Sequence, residues 1–268
     1  MKLINIILAF LLALATAQAE STKLDISAPA PEVLSTYYAA KAQDAKKVQS
    51  KLKANGFSIL AVTAPIKGSI VITVTNKELK ATNTWLATLN VLVNEKEVRV
   101  QNPSYFGAAY LQDTFKYGQF AGTLKSLQKA LGDLYTVEDE FKLAKLPNYQ
   151  FMMGMAHVED TIGVAEGEDL ETKLKDNKYI SYSLKLPNGS TLVGHNLRSR
   201  TNKFLVKIDA VHNAQILPYR SIIKEGKAVM LDPKYYLAVS LPLLSMTEFM
   251  KIASAPGNIE KDIKRSYK

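Results

Sequence analysis

The chain contains no cysteine. That absence removes disulfides, thiol nucleophiles, thiolate metal ligands and a lipid-attachment thiol together, so the fold must be held by its buried core. Histidine is scarce as well, with three in 268 residues, and His157, His195 and His212 do not fall in the spacing of a helical zinc motif. No glycine-rich phosphate loop is present. Three Ser-x-x-Lys spacings occur, at Ser50, Ser126 and Ser221, but a lysine-rich chain produces such matches by chance and the companion motifs of that enzyme class are missing. The one sustained apolar run, residues 4–15, is shorter than the roughly 20 residues of a membrane-spanning helix.

That run is informative in another way. It follows Lys2 and precedes Ala17-Gln18-Ala19, a small-x-small cleavage site, so residues 1–19 read as a secretory signal peptide and place the mature protein in the periplasm, not as a lipoprotein. A formal net charge of +9 comes mostly from scattered lysines, which suits a solvated surface, and export argues against a nucleic-acid partner.

The chain is organised around a stretch that occurs twice. Residues 86–110, LATLNVLVNEKEVRVQNPSYFGAAY, align without a gap on residues 216–240, ILPYRSIIKEGKAVMLDPKYYLAVS, at an offset of 130. In each, two alternating apolar segments flank a charged turn and predict a hairpin. Asn102-Pro103 and Asp232-Pro233 then predict a helix start, because an Asx side chain accepts from free backbone N–H groups and proline suits the first helical position. Upstream, Ala45, Val48 and Leu52 share a helical face that stops at Asn55-Gly56. Leu170 and Leu174 predict the matching helix in the second half, and Asn188-Gly189 predicts a hairpin turn within residues 181–196, where the extra residues of the second copy are expected. Phe120, Leu124, Leu127 and Leu131 predict a closing helix in the first half. Ser245-Met246-Thr247-Glu248 predicts a capped one in the second.

The order of a helix ending in Asn55-Gly56-Phe57, two strands, a hairpin and an Asx-Pro step resembles the domain-of-unknown-function 302 family, over residues 33–132 and again over 150–265. The resemblance implies small bacterial α/β domains with a strand-helix-strand-strand core, often exported, and carries no established activity. Members place a Leu-Pro-Cys step before the hairpin; here Leu217-Pro218-Tyr219 and Ala87-Thr88-Leu89 stand there, so any role of that cysteine is absent. The expected architecture is therefore α+β, with two tandem homologous domains, each a small mostly antiparallel sheet with helices on one face. Residues 20–32 form an extended leader, 33–142 the first repeat, 143–149 a linker and 150–268 the second repeat.

Two groups of residues are candidates for function. Tyr105, Phe106, Tyr235 and Tyr236 follow the two prolines and would line a shared groove if the halves pack symmetrically, the competing reading being that they seal the core. Met153, Met155 and His157 would project from one face of a strand, where thioethers and imidazole suit Cu(I); the competing reading is methionine filling an irregular core. The expectation is an exported, non-catalytic binding or interaction module for a small ligand or periplasmic protein, with no cofactor. Copper handling is the alternative, and a hydrolase with a site assembled from distant residues comes third.

Overall fold

The computed structural model describes residues 21–268; the expected signal peptide at 1–19 lies outside them. The leader is not a free tail. Leu24 donates to the Leu134 carbonyl at 2.7 Å, Thr136 donates to that of Thr22 at 2.9 Å, and Lys23 forms a bridge with Tyr135. The next segment breaks at Thr36 into β1 (Val33–Ser35) and β2 (Tyr37–Lys41), which join different sheets. Helix α1 (Ala45–Ala54) starts where the Asp44 side chain accepts from the Lys46 and Lys47 amides, buries Val48 and Leu52, and ends at Gly56, whose φ of 89° is left-handed. Strands β3 (Ser58–Thr63) and β4 (Ile70–Thr75) follow, then the short helix α2 (Lys77–Lys80).

The repeated stretch forms as its sequence predicts. Strands β5 (Leu89–Val93) and β6 (Glu97–Gln101) make a hairpin, after which the Asn102 side chain accepts from the Ser104 amide at 2.9 Å and Pro103 opens α3 (Pro103–Leu111). Helix α4 (Ala121–Leu131) buries Leu124, Leu127 and Leu131 and stops at Gly132. Short strands β7 (Tyr135–Thr136) and β8 (Glu140–Lys142) end the first half. The segment expected as a linker is tightly held: residues 143–148 form a 3-10 helix with Leu146 buried, and the Tyr149 hydroxyl donates to the Ala238 carbonyl at 2.9 Å.

In the second half β9 (Thr161–Glu166) leads to a single 3-10 turn at Thr172–Leu174 in place of the expected helix. Leu170 and Leu174 are buried as a helical face would bury them, but left-handed Asp176 and the glycine at 167 keep the segment too short for more than a turn. Strands β10 (Ile180–Lys185) and β11 (Thr191–His195) pair through the Asn188-Gly189 turn. Helices α5 (Ser199–Asn202) and α6 (Phe204–Lys207) come next, then the hairpin β12 (Tyr219–Lys224) and β13 (Lys227–Leu231). Asp232 caps α7 (Pro233–Ser240) through the Lys234 amide at 2.7 Å. Helices α8 (Met246–Lys251), with both arms of its capping box formed, and α9 (Ala255–Arg265), opened by Pro256, complete the chain.

The molecule is α+β, with three antiparallel sheets. The six-stranded sheet runs β3-β4-β5-β6-β2-β7 and the five-stranded sheet runs β10-β11-β12-β13-β9, so five strands follow the same order in both halves. The first hairpin of each sheet also carries a bulge at the corresponding place, between Ile59 and Ala61 and between Ile180 and Tyr182. Those registers put the extra residues of the second half elsewhere than expected. They lie in the connection 196–218 between β11 and β12, which replaces the shorter 76–88 of the first half, while the β10–β11 hairpin gains none.

The two sheets share one continuous core. Across it, the Tyr105 hydroxyl donates to the Val239 carbonyl at 2.9 Å and the Tyr235 hydroxyl donates to the Ala109 carbonyl at 3.3 Å. Both donors and both acceptors are related by the offset of 130, so α3 and α7 clasp each other reciprocally.

A second buried chain of hydrogen bonds fastens the C-terminus. The Ser266 hydroxyl donates to the Ile263 carbonyl at 2.7 Å, so it accepts from Nδ1 of His195 at 2.8 Å. His195 Nε2 then accepts from Ser221 Oγ at 2.6 Å, and Ser221 accepts from the Tyr267 hydroxyl at 2.5 Å. One direction satisfies every group, and it requires neutral imidazole. Burial accordingly pushes the His195 pKa down to about 3. Because the folded value lies below the unfolded one of about 6.5, unfolding takes up a proton between those limits and stability falls as pH drops through that window. His195 should cost about 2 kcal/mol of stability between pH 7 and pH 5. Urea titrations at the two pH values should show that loss in the wild type and a correspondingly smaller one in His195→Gln, even though the variant starts less stable at pH 7; the comparison cancels His212, whose burial acts in the same sense.

Candidate functional site

The four aromatic residues expected to line a groove are core. Tyr105 is 0% and Phe106 1% exposed, and Tyr235 and Tyr236 are equally enclosed. They do converge between the halves, but the space they face is filled by their own hydroxyl-to-carbonyl bonds and by ring contacts, Tyr105 against Phe106 at 5.2 Å and Tyr236 against Tyr219 at 4.8 Å. The concavity between the halves lies elsewhere.

It is a cleft of about 490 Å³, walled on one side by residues 63–67, the turn between β3 and β4, and on the other by the connection after β11. That volume falls within the range of small-molecule sites. Its floor is Leu217 and Pro218, joined by a cis peptide bond, and the half-exposed Val206 stands at its rim with Lys67 and Lys203. The extra residues of the second half therefore build one wall.

That wall is fixed from behind. Asp262 of α9, 6% exposed, accepts from the Arg198 amide at 3.0 Å and the Thr201 hydroxyl at 2.7 Å and pairs with the Arg198 guanidinium. One carboxylate thus holds the first turn of α5 and sets Asn202 at the junction. Asn202 Nδ2 donates to the Pro65 carbonyl at 3.0 Å, crossing from one half to the other, which leaves its Oδ1 buried with no hydrogen-bond partner. His195 also borders the cleft, but both its ring nitrogens are engaged in the core. Ser221 beside it is wholly buried, so this Ser-His pair has no path to a substrate.

A larger hollow of about 1210 Å³ lies under the leader, between residues 21–35 and the strands β2 and β7. Three of its charged groups, Arg99, Glu97 and Asp139, form a network with Asn213. Arg99 donates to Glu97 at 2.8 Å and to Asn213 Oδ1 at 2.8 Å and faces Asp139 at 3.5 Å, while Asn213 Nδ2 donates to Asp139 at 3.3 Å. Burial raises the Asp139 pKa, and the Asn213 bond and Arg99 offset part of that rise. These groups tie β6, the segment before β8 and the 3-10 helix Val211–Ile216 together.

Residues 151–157 are bends and turns, not a strand, so Met153, Met155 and His157 do not share a strand face. Met153 is 98% exposed. The structure instead brings this segment against α8: the Phe151 and Phe249 rings lie 5.3 Å apart, and Met152, Met153, Met246 and Met250 are exposed on the two segments so joined. Among the described residues no group of three or more histidine, aspartate or glutamate side chains is placed to hold a metal ion, and no helix is long and apolar enough to cross a membrane. Compared with protein-family models, curated proteins and solved structures, the chain matches none.

Removing the carboxylate that sets the cleft wall should cost about 3 kcal/mol, since it leaves a partly buried guanidinium and a buried hydroxyl unpaired. Asp262→Ala should lower the urea midpoint accordingly, and hydrogen exchange should quicken first at residues 198–207.

Proposed function

We propose that the protein is an exported binding module of two duplicated halves, which takes a small ligand in the cleft between the β3–β4 turn and the β11–β12 connection. The observation that carries this reading is the cleft itself, about 490 Å³, with Asn202 bridging the halves beside it and Lys67 and Lys203 in its lining. Equal strand order and the corresponding bulges support the duplication, and the resemblance to the domain-of-unknown-function 302 family rests on the residues that carry it. The signal peptide at 1–19 is the basis for a periplasmic location. Lys67 and Lys203 at the rim favour a ligand with an anionic group. The one Ser-His pair bordering the cleft, His195 with Ser221, is closed off in the core, so binding is preferred to hydrolysis.

A fragment screen by ligand-observed NMR, using small hydroxy and amino carboxylates, tests this. Val206→Trp fills the cleft from an exposed position and leaves the core alone. Fragments that bind the wild type should lose at least tenfold in affinity in that variant; undiminished binding would sink the cleft reading.

The Phe151–Phe249 contact favours a second reading, Cu(I) capture by thioethers of Met152, Met153, Met246 and Met250, with Met155 and His157 nearby in the chain. Anaerobic competition against a Cu(I)-selective chelator should find one equivalent bound, with at least tenfold weaker retention in a Met153→Leu/Met250→Leu variant. A wild type that keeps no copper removes this reading.

A further inference from the structure

Arg220 of β12 is 5% exposed, yet among the described residues no carboxylate pairs with it, whereas Arg99 holds Glu97 and Asp139 and Arg198 holds Asp262. Its Nη2 donates to Gln101 Oε1 at 3.1 Å, an oxygen that also accepts from the Asn90 amide at 2.9 Å. Its Nε has no partner. The surroundings are neutral phenols: Tyr182 lies within hydrogen-bonding reach of the guanidinium, and Tyr236 and Tyr110 are close enough to interact with it electrostatically.

The crowding here is built in. On the five-stranded sheet Tyr182, Gly194 and Arg220 pair in a row across β10, β11 and β12. A Cβ on Gly194 would fall 2.1 Å from the Tyr182 ring, so glycine is what lets that ring lie across β11 toward the arginine. The Tyr182 hydroxyl, at 3.2 Å from Thr88 Oγ1, closes the row against the first half.

Two further buried hydroxyls near this cluster lack partners, Tyr110 Oη and Ser240 Oγ. They sit at positions related by the offset of 130, at the ends of the clasped helices α3 and α7, and Ser240 neighbours the Tyr236 hydroxyl. All three unpartnered groups, the guanidinium Nε and the two hydroxyls, are able to donate. Water would satisfy their hydrogen bonds but leave the positive charge uncompensated, and arginine does not neutralise by losing its proton. None of the three lines the cleft or the hollow under the leader, so the group is set apart from both.

We propose that Arg220, Tyr110 and Ser240 hold a chloride-sized monovalent anion enclosed between the two halves. The ion supplies the missing counter-charge and joins β12 to the ends of α3 and α7. This site is independent of the ligand cleft.

Thermal unfolding of the purified protein at constant ionic strength, with sodium chloride replacing sodium gluconate, tests the site, because gluconate is too large to be enclosed. Wild type should gain roughly 4 °C in Tm per tenfold increase in chloride above half-saturation. Arg220→Met should show no chloride dependence beyond that of the bulk salt. Tyr110→Phe supplies the test if that variant fails to fold: it should weaken the chloride response while leaving the Tm in gluconate unchanged. Crystals soaked in bromide should show anomalous scattering beside Arg220 Nε. Equal wild-type Tm in the two salts, a full chloride response surviving in Arg220→Met, a Tyr110→Phe variant stabilised in both salts, or bromide only at the surface would each overturn the proposal.

Discussion

The reciprocal bond between α3 and α7 is the constraint on which the rest of the structure depends. Tyr105 and Tyr235 each reach across the core to a carbonyl at the far end of the opposite helix, at 2.9 and 3.3 Å. Such bonds form only if both helices begin at corresponding points and the first turn of each lies against the last turn of the other. The Asx-Pro step secures that start twice, with Asn102 and Asp232 capping and Pro103 and Pro233 at the first helical position. A hydroxyl that failed to find its carbonyl would be stranded in the core, at a cost of about 1–3 kcal/mol. The clasp therefore specifies the arrangement of the halves as well as stabilising it.

Much of the fold was legible because local rules and burial agree. Asn102, Pro103, Asp232 and Pro233 read as helix starts, Val48 and Leu52 as a buried face, and Gly56 and Gly132 as stops, since each depends on neighbours within a turn of the chain. The registers were not legible in the same way. Apolar alternation marks residues 180–195 as a hairpin but does not say whether extra residues extend it or the connection that follows; only the pairing of β11 with β12 does. The same limit explains the aromatic pairs. Chain position shows that Tyr105 and Tyr235 converge, while whether converging rings leave a groove depends on distances set by packing.

The candidate site was the least legible part, for a related reason. Asn202 carries no motif, and its standing comes from Pro65, 137 positions away, accepting one half of its amide. Asp262, which sets the wall, acts through Arg198 and Thr201, more than 60 positions earlier. That residues 151–153 lie against α8 is shown by one contact, between Phe151 and Phe249, 98 positions apart. Local pattern had no access to any of these pairings.

Where the halves differ is as instructive as where they agree. Asn90 and Arg220 occupy equivalent positions on β5 and β12, and both point across the interface. Asn90 is fully paired: its side chain accepts from Thr73 at 2.8 Å and donates to the Gln215 and Leu217 carbonyls at 2.9 and 3.1 Å. Arg220 brings a full charge to the same surface with no carboxylate to pair it. The hydroxyl that Thr73 gives Asn90 has no counterpart at Gly194, which instead admits the Tyr182 ring, so the second half holds a charge where the first holds a paired amide. The connection 196–218 also differs, being longer than closing the sheet demands, and its surplus forms one wall of the cleft. A repeated architecture supplies its own control: features common to both halves are explained by folding, and those confined to one half are where a reason other than folding has to be sought.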